Sequence, residues 1–304
     1  MEREGSTYRV DTDAGEIIAV LRGRLKHRDD DRVVAGDVVD LDHPPGGRAA
    51  IRGIHARRSL LTRRAAGARS AGRAQAIAAN VDQVVVVAAA RDPEPNPRML
   101  DRFLVIAESN ALPAVLVVNK VDLDGDTARR LEDRFRAAGY PVVPTSTRRP
   151  ETINVLRGLL RGRASVLTGP SGVGKSSLVN ALEPGRALRI GVISAKRGTG
   201  KHTTRAAVLV PLSIAGGYVV DTPGLREVGT WGVDPDALGA CFPEFRPYLD
   251  RCRFDDCRHM GEPECAVRSA ADQGLFDPDR LVSYTRIYEE VSVPSWSSAR
   301  RRAR

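Results

Sequence analysis

The sequence has few cysteines, few lysines and no long apolar run, and these shortages argue against several classes of protein. Four cysteines in 304 residues are too few for a disulfide scaffold and fit a reducing compartment, so we expect a cytoplasmic location. The longest apolar run, residues 84–90, is far shorter than the roughly 20 residues of a membrane-spanning helix. Without such a run we expect no membrane partner, and the charged residues 1–5 are unlike a secretory signal.

Basic residues exceed acidic ones, and arginine carries the excess. The sequence has 47 Lys and Arg against 38 Asp and Glu, a formal net charge of +9, and only five of the basic residues are lysine. A coding bias toward arginine explains most of this ratio, but the net charge still favours a polyanionic partner such as nucleic acid. Four of the lysines lie in or beside the motifs described below: Lys120, Lys175, Lys196 and Lys201.

Residues 1–75 have the pattern of a small β-barrel domain. Short β-rich segments at residues 8–12, 16–22, 33–41 and 49–55 are separated by turn-forming Asp, Gly and Pro. Four or five short strands without a helical period predict an OB-fold, and an SH3-like barrel is the alternative.

A run of arginines accompanies the end of this domain. Residues 48–73 contain eight arginines and no acidic residue. A solvated connector is the simpler interpretation, but the neighbouring barrel is of a class that often binds nucleic acid, which favours a phosphate-binding surface. The candidate RNA-binding residues are Arg57, Arg58, Arg63 and Arg64.

The middle of the chain, residues 76–235, alternates between strand and helix patterns. Predicted strands cover residues 83–89, 114–118, 141–144, 165–168 and 217–220, and predicted helices cover residues 98–108, 126–138 and 175–182. This alternation predicts an α/β domain with a doubly wound sheet. Residues 236–304 form a third predicted domain, mostly helical, with a helix at residues 279–291 and an arginine-rich tail at residues 300–304.

A glycine-rich loop between the strand at residues 165–168 and the following helix fits the pattern G-x-x-x-x-G-K-[ST]. Its glycines let backbone N–H groups turn toward phosphate oxygens, and the helix N-terminus adds its dipole. Lys175 would reach the β- and γ-phosphates, and the Ser176 hydroxyl would ligate Mg²⁺. A chance glycine-rich turn is the alternative, which the strand–loop–helix context disfavours. The candidate nucleotide-binding residues are Gly169, Pro170, Ser171, Gly172, Val173, Gly174, Lys175, Ser176 and Ser177.

The strand at residues 114–118 leads into a motif that suits a guanine base. Guanine presents N–H donors at N1 and N2, and the Asp122 carboxylate can accept both, whereas adenine presents the opposite pattern. Asn119 can brace the loop, and the stem of Lys120 can lie across the ring. A four-residue motif can arise by chance, but the carboxyl end of a strand is where open α/β sheets bind ligands. The candidate base-binding residues are Asn119, Lys120, Val121 and Asp122, with Thr145 and Ser146 near guanine O6.

The order of the motifs is permuted. In ordinary GTPases the phosphate loop precedes the base motif, and here the base motif comes first. A D-x-x-G element follows the phosphate loop, with Asp221 expected to hold Mg²⁺ through water and Gly224 to sense the γ-phosphate. This order predicts a circularly permuted GTPase fold, since loops can keep their places in a sheet when the termini move.

A glycine-rich, basic segment before the D-x-x-G element has the composition of a switch loop. Thr203 or Thr204 is the candidate second hydroxyl ligand of Mg²⁺. Many GTPases place Gln directly after D-x-x-G to orient water, and Leu225 stands there in this sequence. His202 is the candidate for that role, with contact to a partner as an equal alternative. The predicted catalytic residues are therefore His202, Lys175 and Thr204.

The third domain contains a cluster with the spacing of a metal site. Cys252, Cys257, His259 and Cys265 offer three thiolates and one imidazole within a short stretch. Four such ligands fill a tetrahedral Zn²⁺ shell and leave no position for water, which predicts a structural ion. Unrelated buried cysteines are the alternative, which this clustering disfavours. Cys241 lies outside the cluster and is predicted to be an ordinary buried thiol.

Together these segments resemble one family, the ribosome small-subunit-dependent GTPase A (RsgA) family. The resemblance covers nearly the whole chain and lies in the permuted motif order followed by the Cys₃His cluster. Further matching segments are residues 77–83, 201–205 and 242–245.

The resemblance implies an OB-fold, a circularly permuted GTPase domain and a zinc-binding helical domain. It implies a cytoplasmic GTPase of late 30S subunit maturation, whose slow hydrolysis is stimulated by the ribosomal particle. The OB-fold and the zinc domain would contact 16S rRNA, and the nucleotide state would govern release. The implied cofactors are one structural Zn²⁺ and Mg²⁺ with GTP, and we expect a monomer.

Two other functions stay open from the residues alone. A P-loop ATPase or kinase could use the basic surface for an acidic substrate, which the base motif ending at Asp122 opposes. A non-catalytic RNA-binding scaffold could bind GTP only for its structure, and it would not hydrolyse GTP even with 30S particles.

Overall fold

The computed structural model describes residues 3–4, 7–22, 33–42, 48–64, 74–183, 208–212, 216–221 and 233–292. The predictions for His202, Thr203, Thr204, Gly224 and the tail at residues 300–304 lie outside the described residues. Of Arg63, Arg64 and Asp221, only the backbone is described.

Five N-terminal strands form one sheet. They are β1 (Arg3–Glu4), β2 (Thr7–Thr12), β3 (Gly15–Leu21), β4 (Val39–Asp42) and β5 (Ala49–Ile54). Their order is β1-β2-β3-β5-β4, in which β3 and β5 are the one parallel pair. Apolar side chains at alternate positions, such as Tyr8 and Val10, point to one face and build a small core there with Ala19 and Ile51.

The strand predicted at residues 33–41 is wrong in its first half, because a turn precedes β4. The Asp37 carboxylate accepts a hydrogen bond from the Val34 N–H at 2.8 Å, and the Asp37 N–H donates to the Val34 carbonyl at 3.2 Å. Gly36 within this turn has a φ of +92°, and a Cβ there would lie 2.1 Å from the Ala79 carbonyl oxygen. Asp and Gly thus make the turn that the alternating pattern concealed.

A hairpin that was not predicted lies in the arginine-rich region. Strands β6 (Leu60–Arg64) and β7 (Ala74–Ala79) pair antiparallel. The Asn80 side chain donates to the Gly36 carbonyl at 2.9 Å, which joins the end of the hairpin to the turn before β4. Strand β7 therefore crosses the boundary predicted at residue 75.

Six strands form the central sheet. They are β8 (Gln83–Ala89), β9 (Ala114–Asn119), β10 (Val142–Pro144), β11 (Ala164–Thr168), β12 (Val208–Leu212) and β13 (Gly217–Asp221). Their order is β10-β9-β8-β11-β13-β12, and every neighbouring pair is parallel except β12 with β13. Strands β8 and β9 are buried along their whole length, as expected for strands covered on both faces.

Helices cover both faces of this sheet. They are α1 (Pro97–Ser109), α2 (Gly125–Ala137), α3 (Pro150–Leu160) and α4 (Lys175–Leu182). The Asn96 and Asp124 side chains cap α1 and α2 by accepting from the N–H groups of Met99 and Thr127. Residues of α1 and α2 pack on one face and residues of α3 and α4 on the other, which confirms the predicted doubly wound arrangement. Helix α3 and strand β12 were not predicted.

The C-terminal part is helical. Two 3-10 helices (Gly239–Cys241 and Pro243–Arg251) are followed by α5 (Ala266–Asp272) and α6 (Pro278–Ser292). Aromatic side chains form the centre of its core, where the Phe242 and Phe245 rings stack at 4.9 Å. Val105 of α1 belongs to the same core, so this part packs on the central domain. None of the described helices is long and apolar enough to cross a lipid bilayer.

Candidate nucleotide site and metal cluster

The phosphate loop connects β11 to α4 at the carboxyl edge of the central sheet. Gly169 opens the loop with a φ of +137°, and a Cβ there would lie 2.1 Å from the Val87 carbonyl oxygen. Gly174 closes it with a φ of +97°, and a Cβ there would lie 2.4 Å from the Asn119 amide nitrogen. Both positions require glycine, because the neighbouring strands approach the loop too closely for a side chain.

Lys175 begins α4, and its side chain folds back over the loop. The ammonium donates to the Gly169 and Pro170 carbonyl oxygens, both at 2.7 Å, and the residue is nearly buried. The positive end of the α4 dipole lies at the same place. Ser176 follows and is partly buried. The loop therefore offers a cation, a helix N-terminus and a hydroxyl to one anionic group.

The base motif is joined directly to the phosphate loop. The Asn119 amide donates to the Val173 carbonyl at 2.8 Å, and its oxygen accepts from the Thr145 hydroxyl at 3.2 Å. The Lys120 ammonium donates to the Gly172 carbonyl at 2.9 Å and to the Asp92 carbonyl. Two neighbouring side chains thus hold the base motif and the phosphate loop in one fixed arrangement.

Asp122 is held ready to accept hydrogen bonds. The Ser146 hydroxyl donates to one of its carboxylate oxygens at 2.6 Å, and the Arg148 guanidinium lies 3.4 Å from the other. The hydrogen bond from Ser146 is the main cause that lowers the pKa of Asp122, with Arg148 contributing. The carboxylate therefore stays ionised at neutral pH, which is the form that accepts two N–H donors.

The aspartate of the D-x-x-G element begins at the same edge of the sheet. Asp221 ends β13, and the strand register places its backbone beside Leu167 of β11. Leu167 stands two residues before the first glycine of the phosphate loop. Of the proposed Mg²⁺ ligands, Ser176 is the one whose side chain the structure describes, since Thr203, Thr204 and the carboxylate of Asp221 fall outside the described part.

The four predicted zinc ligands converge. Their ligand atoms all lie within 4.8 Å of one another, with Cys252 Sγ and Cys265 Sγ 4.0 Å apart. His259 Nδ1 lies 3.6 Å from Cys252 Sγ and 3.4 Å from Cys265 Sγ. A tetrahedral zinc with bonds of about 2.3 Å to sulfur needs sulfur atoms about 3.8 Å apart. Three sulfur atoms and one imidazole nitrogen at this spacing fit one structural zinc ion.

The protonation of the cluster also suits a metal. Burial lowers the pKa of His259, which favours the neutral imidazole that can bind a metal. Burial raises the pKa of the Cys257 thiol to about 12, so without a cation the thiol keeps its proton. A metal ion would replace that proton and stabilise the thiolate.

Glu262 orders the loop that carries His259. Its carboxylate accepts from the backbone N–H groups of Arg258, Met260 and Gly261 at 3.0, 2.8 and 3.1 Å. Partial burial would raise the pKa of Glu262, but its own backbone N–H and these three N–H donors hold it at about 2. Glu262 is therefore ionised and fixes the backbone on both sides of the imidazole.

Two candidate RNA-binding arginines hold ion pairs. Arg57 Nε lies 2.7 Å from Asp37, whose side chain is fully buried, so this pair fastens the turn before β4. Arg58 lies 3.2 Å from Asp82, and its side chain stays largely exposed. RNA binding by Arg57, Arg58, Arg63 and Arg64 stays a prediction.

Sequence reasoning missed two residues of the nucleotide site. Asp92 contributes only its backbone carbonyl to Lys120, so its side chain gave no signal. Arg148 stands two positions after Ser146. A basic residue so close in sequence to the predicted guanine O6 contact was the signal that could have identified it as part of the site.

Comparisons with known proteins agree with this geometry. The family model described as RsgA GTPase matches residues 54–231. The small ribosomal subunit biogenesis GTPase RsgA of Gemmatimonas aurantiaca is 48% identical over 293 residues, which cover 94% of each chain. YjeQ from Thermotoga maritima, known from a crystal structure, superposes with a TM-score of 0.77 at 33% identity, over 95% of this chain and 96% of that one. YloQ, described as a circularly permuted GTPase, gives a TM-score of 0.72 at 27% identity, over 96% and 93%. This chain belongs to the RsgA GTPase family, which confirms the resemblance first seen in its permuted motifs.

Proposed function

We propose that this protein hydrolyses GTP to GDP and phosphate as a late-stage maturation factor of the small ribosomal subunit. The observation that carries the proposal is the 2.8 Å hydrogen bond from Asn119 to Val173, which joins the base motif to the phosphate loop. A nucleotide lying across this joint would have its base at Asp122 and its phosphates at Lys175. Relatives that match over nearly the whole chain are named small ribosomal subunit biogenesis GTPases, which supports the ribosomal partner.

Guanine selection follows from the ionised carboxylate. Asp122 would accept the N1 and N2 protons of guanine, and Thr145 and Ser146 would lie near O6. An adenine edge would place an acceptor against the carboxylate, which costs binding because two acceptors would face each other and the base would donate no hydrogen bond to Asp122. Lys120 would lie over the base with its stem while its ammonium stays on the loop carbonyls.

Hydrolysis would depend on residues of the phosphate loop and of the switch segment. Lys175 and the loop N–H groups would hold the phosphates, with Ser176, Asp221 and Thr203 or Thr204 holding Mg²⁺. When bound, Mg²⁺ neutralises charge on the β- and γ-phosphates. His202 is proposed to orient the attacking water, and Gly224 to contact the γ-phosphate.

The rest of the chain is proposed to bind the ribosomal particle. We assign residues 1–75 to an OB-fold, residues 76–235 to the GTPase domain and residues 236–304 to the zinc domain, with strand β7 running across the first of these boundaries. The five-stranded sheet with its crossover from β3 to β5 supports the OB-fold. The OB-fold, through Arg57, Arg58, Arg63 and Arg64, and the zinc domain would contact 16S rRNA. The protein is proposed to act in the cytoplasm as a monomer.

GTP turnover with and without purified 30S subunits tests the proposal. We expect slow hydrolysis alone, stimulation by 30S subunits, and a loss of stimulation at raised salt, since phosphate contacts weaken with salt. Lys175→Ala is the matched negative control. Tight ATP binding in competition with GDP would indicate the ATPase or kinase alternative, and no hydrolysis with 30S subunits would indicate a scaffold.

A further inference from the structure

A cleft of about 460 Å³ lies between α1 and α6, apart from the nucleotide site and the metal cluster. Its volume falls within the roughly 300–1,000 Å³ of pockets that hold one small ligand. Two apolar side chains line it: Met99 from the first turn of α1, which is 37% exposed, and Ile287 from α6, which is 2% exposed and belongs to the C-terminal core. Met99 is therefore the apolar side chain of the cleft that solvent can reach.

One wall of the cleft carries an unpartnered hydroxyl. Ser283 lies one turn before Ile287 on α6 and is 2% exposed. Its Oγ has no hydrogen-bond partner among the described residues. A buried hydroxyl without a partner destabilises the fold, so its place on the wall points to a ligand that supplies the missing bond.

The charge around the cleft favours an anion. Arg98 and Arg286 line it and are exposed, and neither has an ion pair within the described ranges. Arg102 and Glu290 also line it and pair with each other across the two helices, which leaves Glu289 as the acidic group that opposes the two arginines. The first turn of α1, which has no acidic residue, adds the positive end of a 13-residue helix.

We propose that this cleft holds one unstacked nucleotide of single-stranded RNA. Arg98 and Arg286 bind the phosphate, Ser283 hydrogen-bonds the sugar or base, and the base lies against Met99. Phosphate contact by arginine with a base on an apolar surface is a common way to bind single-stranded RNA. The choice of RNA as the source rests on the proposed function, which supplies a ribosomal partner.

Paired charge variants test the phosphate contact. We expect Arg98→Ala with Arg286→Ala to weaken binding to 30S subunits and to a fluorescein-labelled single-stranded RNA on the order of tenfold at about 0.1 M salt. The slope of log K against log salt should fall by about 0.7 for each phosphate that the variant no longer binds. Arg129→Ala with Arg161→Ala removes the same charge from exposed positions outside the cleft and should leave both values unchanged. Basal GTP hydrolysis should be the same in all variants.

Ser283→Ala separates ligand binding from folding. It removes a hydroxyl that has no partner in the described part of the chain, so thermal stability should stay equal or rise. If the hydroxyl contacts RNA, binding should weaken several-fold in this equally stable variant. Unchanged RNA binding in both the arginine pair and Ser283→Ala would overturn the proposal.

A photoreactive amino acid at Met99 tests the contact directly. We expect it to cross-link to 16S rRNA in 30S complexes, whereas the same probe at Val155, exposed on α3, should not. A cross-link only to a ribosomal protein, or competition by free mononucleotide as strong as by the oligonucleotide, would overturn RNA as the occupant. If the wild-type protein bound 30S subunits and the cleft variants bound equally well, the cleft proposal would fail alone. If the wild type did not bind 30S subunits, the proposed function would fail as well.

Discussion

Arg280 is the buried cation that joins the C-terminal part to the central domain. It is 1% exposed, and it donates to Asp101 of α1 at 2.6 Å and to Glu244 at 3.2 Å. Its guanidinium also lies 4.7 Å from the centroid of the Phe242 ring. Burial opposes the charge on Arg280, but the two carboxylates raise its pKa and keep it protonated.

We expect Arg280→Met to destabilise the protein by about 3–5 kcal/mol, because it leaves two buried carboxylates without a cation. The side chains of Asp101 and Glu244 are 0% and 4% exposed, so water cannot replace the missing partner. The second oxygen of Asp101 has no partner among the described residues, which makes that carboxylate depend on Arg280. Methionine keeps a similar volume, so the loss of stability reports mainly on charge.

Urea unfolding followed by circular dichroism measures this loss. Arg129→Met is the matched control, because Arg129 pairs with Asp126 at 3.8 Å on the surface and should unfold close to wild type. Adding Asp101→Asn and Glu244→Gln to Arg280→Met should recover part of the stability, since no unpaired charge remains. If Arg280→Met unfolded at the same urea concentration as Arg129→Met, the reasoning about a desolvated charge cluster would be refuted.

Four further outcomes are expected. Removing the proposed zinc with a chelator, or replacing Cys252 by Ser, should unfold the C-terminal part, which loss of the helical circular dichroism signal would show. The affinity of the cluster for zinc should fall as pH falls from about 8 to 6, because the Cys257 thiol, with a pKa raised to about 12, must release its proton to bind. Glu262→Ala should weaken zinc binding by about 10–100-fold in chelator competition, since it frees the loop around His259, and an unchanged affinity would contradict that role. Asp122→Asn should shift preference from GDP toward xanthosine diphosphate, because an amide donates where the carboxylate accepts; equal loss of both nucleotides would show that Asp122 acts only through Ser146.

Local sequence patterns predicted much of the fold, including individual strands. Strands β8 and β9 were predicted because continuous apolar runs, rich in valine, suit strands buried on both faces. Helix α3 was missed because no side-chain cap marks its start, although Pro150 stands at its first turn. The first half of the strand at residues 33–41 was wrong because a turn closed by Asp37 and Gly36 lies inside an alternating pattern.

For the candidate site, too, the sequence determined one part and the tertiary structure another. The phosphate loop, the base motif and the Cys₃His cluster are contiguous or closely spaced, so the sequence by itself determined their chemistry and their order. Only the tertiary structure decided how they meet: Asn119 bonds to a carbonyl 54 positions away, and Arg280 to a carboxylate 179 positions away. Such contacts depend on which strands lie side by side and which helices cross, and those are set by packing of the whole chain, so no local pattern of residues could reveal them.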